Sequence, residues 1–420
     1  MNQISAPAAH TNVKVIKWMI YMMFLMFAMT TDSVGVIIPK IIETFNLSMT
    51  AAGAFHYATM AAIAIAAILF GHWADKLGHK ASIIIGLCIF AISAYLFIIG
   101  NAFSFFLILL VFSGIAIGIF KTGALALIGD VSTSTTDHTS TMNLVEGFFG
   151  VGAIIGPAIV VHLLAKDISW QWLYAIAATL CVVLLIMSAM VKYPKVEKHS
   201  GEKIDLKRTL RMLKNPYALA FSMGAFLYVS VECAIYVWMP MMLKSYTGNF
   251  LFLATYSMSI FFAFRALGRF LGGWVMARFD WSWVITVFSG LISVCFITSV
   301  YYGPSVGIYL LPLSGLFMSM IYPTINSKGI SCFPKEKHGA VSGVILFFTC
   351  FSAAVGPLAM GAVSDLGGDI TYGFILATVM AVMLFVGLLA NSIYKPTQEI
   401  LRMLDESEYG EAVQTGGVHE

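Results

Sequence analysis

Long apolar runs separated by short polar connections dominate the chain. A helix that crosses the hydrocarbon core of a bilayer needs about 20 predominantly apolar residues. The pattern predicts twelve such helices, over residues 17–41, 51–72, 81–100, 103–129, 142–165, 171–191, 217–243, 251–277, 281–302, 305–331, 339–363 and 371–394. The first run is too long for the apolar core of a signal peptide, so we interpret it as the first spanning helix.

One connection is much longer and more basic than the others. Residues 192–216 are rich in lysine and arginine, which predicts a solvated linker between helices 6 and 7. The expected organisation is therefore a six-helix bundle over residues 1–191, a cytoplasmic linker over 192–216, a second six-helix bundle over 217–394 and a cytoplasmic tail over 395–420. The predicted fold class is an all-α membrane protein with two pseudo-symmetric bundles.

Composition and charge support a membrane protein and exclude several other classes. Of the 420 residues, 59% are hydrophobic and 11% are charged, whereas soluble domains carry roughly 25% charged residues. The net charge of +3 is too small to indicate a nucleic-acid partner. Of the 24 Lys and Arg residues, only Lys40, Lys166 and Lys244 fall outside if both termini are cytoplasmic. That bias predicts this orientation in the plasma membrane.

Corresponding signals recur at corresponding places in the two halves. Helix 2 ends in the glycine- and charge-rich segment 71–80, and helix 8 ends in a similar segment, 268–278. Helices 5 and 11 both carry glycines followed by a Gly-Pro pair, at Pro157 and Pro357. Such echoes are typical of an internally duplicated transporter.

The segment 71–80 resembles the helix 2–3 signature of the major facilitator superfamily, with Gly71, Asp75, Gly78 and Lys80 in register. The resemblance implies transport by alternating access. It also implies a latch between the two halves, in which Asp75 pairs with a cation. This ion pair breaks when the two halves move relative to each other during transport. We assign Asp130, Arg269 and Arg278 to the same set of latch residues, which lie near predicted cytoplasmic helix ends.

Three stretches resemble the sugar–proton symporter branch that includes fucose and glucose permeases. They are Met142–Pro157, the helix 7 segment 228–238, and the segment 322–326 followed by 333–335 and 339–343. The sequence departs from this branch in helix 1. There the carboxylate of fucose permeases lies about one turn nearer the proline, where this chain has Gly35, and Asp32 precedes it by almost a turn.

Ionisable side chains inside spans are costly and usually face the protein interior. Asp32 is the first candidate for a proton carrier, because burial favours the protonated carboxyl; the alternative is a permanent ion pair with helix 4 or 5. Lys121 would pair with Asp32 or Glu146, bind an anionic substrate, or form a structural ion pair. Glu146 is assigned to proton coupling as a gating or structural salt bridge. His56 is a weaker candidate for a second proton group, since a lone histidine is more often a packing residue.

The second half offers a candidate substrate site. Glu232 is flanked by Tyr228 and Tyr236, with Trp238 nearby, and aromatic rings beside a carboxylate suit a sugar. The alternative is a packing stripe with Glu232 paired to Arg265. Helix 10 adds a polar stripe, and the predicted site comprises Glu232, Tyr228, Tyr236, Trp238, Arg265, Tyr322 and Asn326.

The sequence contains no signature of an enzyme, a metal cluster or a nucleotide-binding domain. We expect a monomeric secondary transporter in the lipid bilayer that imports a sugar or a sugar-like small molecule. We expect no cofactor except a coupling ion, for which H⁺ is the first candidate. The alternatives are an organic-anion carrier, with Lys121 and Arg265 as the charge clamp, and a drug–proton antiporter. A non-transporting sensor on a transporter fold is the alternative from another class.

Overall fold

Helices form the regular structure of the described chain. The computed structural model describes residues 13–131, 135–193, 212, 214–276, 278–333 and 338–408, and these ranges contain no β-strand. The first half contains α1 Val13–Thr31, α2 Val34–Phe45, α3 Met49–Ala52, α4 Ala54–Leu77, α5 His79–Leu96, α6 Phe103–Val131, α7 Thr135–Ala165 and α8 Trp172–Met190.

The second half follows the same style of long helices with short joints. Its helices are α9 Pro216–Cys233, α10 Met239–Leu243, α11 Leu251–Thr255, α12 Ser257–Met276, α13 Trp281–Tyr302, α14 Pro304–Met318, α15 Ile321–Ser331, α16 His338–Gly367, α17 Ile370–Tyr394 and α18 Pro396–Glu408. A π-helical turn, Ala234–Trp238, joins α9 to α10. The predicted linker, 192–216, falls mostly outside the described residues.

Eleven segments of the described chain are long and apolar enough to cross a membrane. They match the predicted spans except the eighth, 251–277. That span contains α12, a 20-residue helix in which Arg265 and Arg269 lower the mean hydropathy. Two arginines in one span are unusual, and they point to a helix that faces protein on at least one side.

The first predicted span, 17–41, corresponds to the membrane-spanning segment Val13–Phe45, but the helix is interrupted within it. The chain breaks at Asp32 and Ser33, between α1 and α2. Just before and at the break, the hydroxyls of Thr30 and Thr31 donate to the carbonyl of Phe27, and Ser33 Oγ donates to Met29 O at 2.6 Å. Hydroxyl side chains that bond back to the preceding turn compete with the helical ladder and bend helices.

Prolines account for the interruptions of two other predicted spans. Span 217–243 contains the π-helical turn, with Pro240 just after it. Span 305–331 breaks at Ser319 and Met320, four residues before Pro323. A proline has no N–H for the carbonyl four residues earlier and its ring crowds that carbonyl, so the helix kinks or widens there.

The same pairs of helices pack together in both halves. In the first half α1 packs against α7, α4 and α5 pack against α6, and α5 packs against α8. In the second half the corresponding contacts join α9 to α16, α12 and α13 to α14, and α13 to α17. This repeat agrees with the echoes between the two halves of the sequence.

The chain falls into two compact units. One comprises Met1–Phe45 and Ala54–Gly201, and the other comprises Asn46–Gly53 and Glu202–Glu420. Within the second unit, the backbone nitrogens of Met49 and Thr50 each donate to the Asp365 carboxylate at 2.8 Å. These bonds attach the short helix α3 to α16.

Candidate functional site

An ion pair lies inside the second unit. Arg265 on α12 places a guanidinium nitrogen 2.7 Å from the carboxylate of Glu232 on α9. Glu232 is 7% exposed and Tyr228, one turn earlier, is 1% exposed. The Tyr228 hydroxyl lies 2.8 Å from Glu232 Oε1 and 2.8 Å from Met318 O, so two acceptors share its single proton. The carboxylate thus has a counter-charge and a hydroxyl donor, which buried charges require.

The break between α14 and α15 is part of this arrangement. Met318 is the last residue of α14, and the last carbonyls of a helix have no partner within it. Tyr228 therefore finds an acceptor at a helix end that the proline kink creates. The sequence motif at 228–236 shows the tyrosine and the acid, but the acceptor on another helix is visible only in the structure.

Aromatic and polar groups extend the ion pair along α15. The rings of Tyr228 and Tyr322 stack with centroids 6.1 Å apart and an interplanar angle of 23°. Thr349 Oγ1 donates to the Tyr322 hydroxyl at 3.4 Å. Asn326, one turn beyond Tyr322, is half-buried. The arrangement thus combines stacked aromatic rings with a carboxylate and a guanidinium.

Tyr236 and Trp238 form hydrogen bonds with groups other than the two members of the ion pair. The Tyr236 hydroxyl lies 2.7 Å from Cys233 Sγ. Trp238 is 1% exposed, and its indole N–H donates to Pro357 O at 3.2 Å. Both residues lie in the π-helical turn, which shifts the residues after it around the helix axis. In this structure Trp238 holds α16 against the turn at the Gly356-Pro357 pair.

The first unit holds the residues predicted to couple protons. Asp32 is half-buried at the break between α1 and α2, and Thr31 Oγ1 donates to its carboxylate at 2.9 Å. Lys121 on α6 places its ammonium 5.9 Å from the ring centroid of Phe24 and 5.4 Å from that of Phe149. These are cation–π distances. Glu146 is exposed on α7. Within the described residues, Lys121 forms cation–π contacts and no ion pair.

Comparison with known proteins identifies the family. Residues 20–357 match the sequence profile of the Major Facilitator Superfamily. The chain belongs to the Major Facilitator Superfamily. The superfamily confirms the predicted fold of twelve membrane-spanning helices in two bundles, and it consists of transporters, so this protein is a multi-pass membrane transporter and not an enzyme.

Three relatives illustrate the range of the superfamily around this chain. The L-fucose-proton symporter of Escherichia coli (strain K12) is 25% identical over 410 residues, covering 87% of this chain and 90% of the symporter. The quinolone resistance protein NorA of Staphylococcus aureus (strain Mu50) is 26% identical over 313 residues, covering 70% of this chain and 76% of NorA. The crystal structure of the nucleoside transporter NupG matches with a TM-score of 0.73 at 17% identity, over 90% of this chain and 98% of NupG.

The superfamily signature at 71–80 spans the junction of α4 and α5. The surroundings of the Gly71 and Asp75 side chains, and of Asp130 on α6, lie outside what the structure describes, so the latch role of Asp75 stays a prediction. Gly78 has φ +89° as the residue before α5. This backbone conformation is strained for residues with a Cβ, which explains the glycine at this position of the signature.

Lys80 of the signature closes the end of another helix. Its ammonium donates to Ala189 O at 2.8 Å and Val191 O at 2.9 Å, at the C-terminal end of α8. It also lies 5.4 Å from the ring centroid of Tyr193, whose pKa is raised by burial. On the second half, Arg269 is half-buried and Arg278 is exposed with its guanidinium 4.4 Å from the Trp274 ring centroid.

Replacing Lys80 with alanine is expected to lower the free energy of unfolding by about 1 kcal/mol, because the carbonyls at the end of α8 lose a charged donor. Chemical denaturation of the purified protein in mixed micelles measures this change. Lys166→Ala is the control, since Lys166 is exposed and has no such contact among the described residues. Equal stability of the two variants would leave Lys80 with a role in the latch alone.

Among the described residues, no group of three or more His, Cys, Asp or Glu side chains is placed to hold a metal ion.

Proposed function

We propose that this protein is a proton-coupled symporter that imports a sugar or a sugar-like solute. The main support is the buried Tyr228–Glu232–Arg265 network of the second unit, beside the stacked ring of Tyr322. The similarity to an L-fucose-proton symporter over 87% of the chain supports the same substrate class. In this proposal Glu232, Arg265 and Asn326 bind hydroxyl groups of the solute. Tyr228 and Tyr322 form the aromatic wall of the site. Tyr236 and Trp238 position that wall.

The charge balance of the site favours a neutral solute. Arg265 already has a carboxylate 2.7 Å away, so an organic anion would have to compete with Glu232 for it. A neutral polyol meets no such competition, and it gains from charge-assisted hydrogen bonds to both members of the pair. The organic-anion alternative requires Arg265 to leave Glu232 when the anion binds.

Asp32 is the proposed proton carrier. It lies at a break in a membrane-spanning segment, and broken helices with ionisable groups are the places where secondary transporters bind their coupling ions. The bond from Thr31 Oγ1 orients the carboxylate. Lys121 and Glu146 are proposed to respond to the charge of Asp32 and so complete the coupling group. Protons are the proposed coupling ion, and no other cofactor is part of the proposal.

A drug–proton antiporter is the second candidate, because 70% of the chain resembles the quinolone resistance protein NorA. Antiport would export the drug, whereas the proposed symport imports solute. Expression in a drug-sensitive bacterial strain distinguishes them: increased resistance to quinolones would favour the antiporter. The proposal further places the protein as a monomer in the bacterial inner membrane with both termini in the cytoplasm, in line with the bias of its lysines and arginines.

The direct test uses purified protein in liposomes with an imposed pH gradient. One pH unit corresponds to about 1.4 kcal/mol per proton and so to about tenfold accumulation of a co-transported neutral solute. L-Fucose, other sugars and small carboxylates are compared as labelled solutes. We expect accumulation of a sugar that collapses when an ionophore equalises the pH, and no added accumulation from a sodium gradient.

Two variants test the assignment of Asp32 in the same liposomes. Asp32→Asn is expected to abolish accumulation while exchange of labelled for unlabelled solute continues, because exchange needs no net proton movement. Glu43→Gln is the control, since Glu43 forms an exposed pair with Lys40 at 3.3 Å, and such pairs contribute little. If accumulation by the wild-type protein did not change with the imposed pH gradient, proton coupling would be refuted.

A further inference from the structure

A small cavity lies within the first unit, next to the break that carries Asp32. It measures about 10 Å³, close to the space that a single water molecule needs. Helices α1, α2, α4, α6 and α8 all contribute to its wall. The polar residues of the wall are Thr30, Thr31, His56, Thr59, Ser113 and Tyr174.

The wall offers hydrogen-bond acceptors to a water molecule. Thr30 donates to Phe27 O at 2.9 Å, Thr59 donates to Phe55 O at 3.2 Å, and the hydroxyls of Ser113 and Ser93 lie 3.0 Å apart. Because the threonine protons are already engaged, their oxygens are left as acceptors towards the cavity.

Tyr174 supplies the complementary group. Its side chain is 1% exposed, and its hydroxyl has no hydrogen-bond partner among the described residues. A buried hydroxyl without a partner costs free energy. A water molecule in the cavity would accept the proton of Tyr174 and donate its own two protons to acceptors of the wall, among them hydroxyl oxygens and an imidazole nitrogen of His56.

His56 and Thr31 connect this cavity to proton chemistry. His56 is 1% exposed on α4, and a neutral imidazole carries both a donor and an acceptor nitrogen. Thr31 lines the same cavity and donates to the Asp32 carboxylate at 2.9 Å. Among the other ionisable groups on the surrounding helices, Tyr174 on α8 lines the cavity, Tyr57 follows His56 on α4, and Lys121 lies one turn beyond Ile117 on α6.

We propose that this cavity binds one water molecule, and that the water and the Thr31 hydroxyl link His56 to Asp32 as a proton relay. His56 is thereby a positioning residue for the proton that Asp32 carries. This role rests on the proton coupling proposed above. In the relay one proton moves along the chain of hydrogen bonds from Asp32 to His56, or back, and each hydroxyl or water in the path receives one proton as it passes one on.

The water is tested directly by a density map of the full-length protein that resolves other internal waters. We expect density in the cavity of the wild-type protein and its loss in Tyr174→Phe, which removes one oxygen and leaves the ring stacked on Phe97. An empty cavity in the wild-type map would overturn the water site.

The relay is tested by nitrogen NMR of protein labelled at its nine histidines. His56→Gln identifies the His56 signals. Asp32→Asn and Thr31→Val are expected to shift those signals, and the exposed-surface variant Glu43→Gln is expected to leave them unchanged. If neither Asp32→Asn nor Thr31→Val shifted the signals of His56, the relay would be overturned, whatever the protein transports.

Transport supplies the functional readout. His56→Gln keeps an amide donor and acceptor but cannot accept a proton. We expect it to lower the initial rate of pH-driven uptake by about 100-fold, a usual contribution of a proton-transfer group to a rate, with solute exchange retained. An unchanged rate of pH-driven uptake by His56→Gln would contradict the relay. If wild-type protein exchanges solute but never accumulates it under a pH gradient, the proposed proton coupling fails. The density map still tests whether the cavity binds water, and the NMR spectra still test whether His56 is connected to Asp32.

Discussion

Glu232→Gln is expected to lower the free energy of unfolding by about 3 kcal/mol and to abolish solute binding. The substitution removes the counter-charge that lies 2.7 Å from Arg265, and breaking a buried ion pair from one side costs about 3–5 kcal/mol. We place the expected loss at the lower end because the Arg265 side chain is 20% exposed. Denaturation in mixed micelles measures stability, and equilibrium binding of the labelled solute measures function.

The double variant Glu232→Gln/Arg265→Met separates the two roles of the pair. Without either charge, no uncompensated ion is left, and stability is expected to return to within about 1 kcal/mol of the wild type. Binding is expected to stay lost, because the groups proposed to hold the solute hydroxyls are gone. Normal binding by the double variant would show that the pair is structural and that the substrate site lies elsewhere.

Much of the fold could be predicted because lipid imposes a simple rule on the sequence. Every spanning helix must hide its backbone polar groups and present apolar side chains, so long apolar runs reveal the helices without any knowledge of packing. The eighth span shows where the rule weakens. Arg265 and Arg269 lower the mean hydropathy of α12, and Arg265 is explained only by its contact with Glu232.

Helix breaks were not predictable from hydropathy. An apolar run does not reveal whether Thr30, Thr31 and Ser33 bond back to the preceding turn, yet these bonds accompany the break at Asp32. Nor does the run show that Pro323 leaves a helix end at Met318, whose carbonyl then receives the Tyr228 hydroxyl. Both breaks depend on local geometry within a uniformly apolar background.

The candidate site was predictable as a set of residue types and less so as a set of contacts. Pairing of Glu232 with Arg265 was one of two sequence interpretations, and the structure contains that pair. Trp238 belongs to the same sequence motif as Tyr228, but it is the last residue of the π-helical turn, and its indole N–H donates to Pro357 O instead. These contacts are hydrogen bonds and ion pairs between segments that are distant in sequence, so the motif alone does not reveal them.

Gly152→Ala and Gly156→Ala are expected to prevent formation of folded protein, whereas Gly150→Ala in the same helix is expected to be tolerated. A Cβ at Gly152 would overlap the backbone oxygen of Leu25, and one at Gly156 would overlap Met29 O and lie 2.5 Å from Ser33 Oγ. Backbone atoms of α1 cannot rotate away, so we expect a cost of about 3 kcal/mol or more for each.

The matched control exists because the glycines of α7 are not equivalent. A Cβ at Gly150 meets nothing within 4 Å, and alanine is favoured over glycine inside a helix by about 1 kcal/mol. The yield of monodisperse protein in detergent, measured by size-exclusion chromatography, compares the three variants. Close packing of α1 on α7 explains Gly152 and Gly156 but leaves Gly150 free to vary. A Gly150→Ala protein that folds but no longer transports would therefore show that this glycine serves the transport cycle rather than the packing of the first unit.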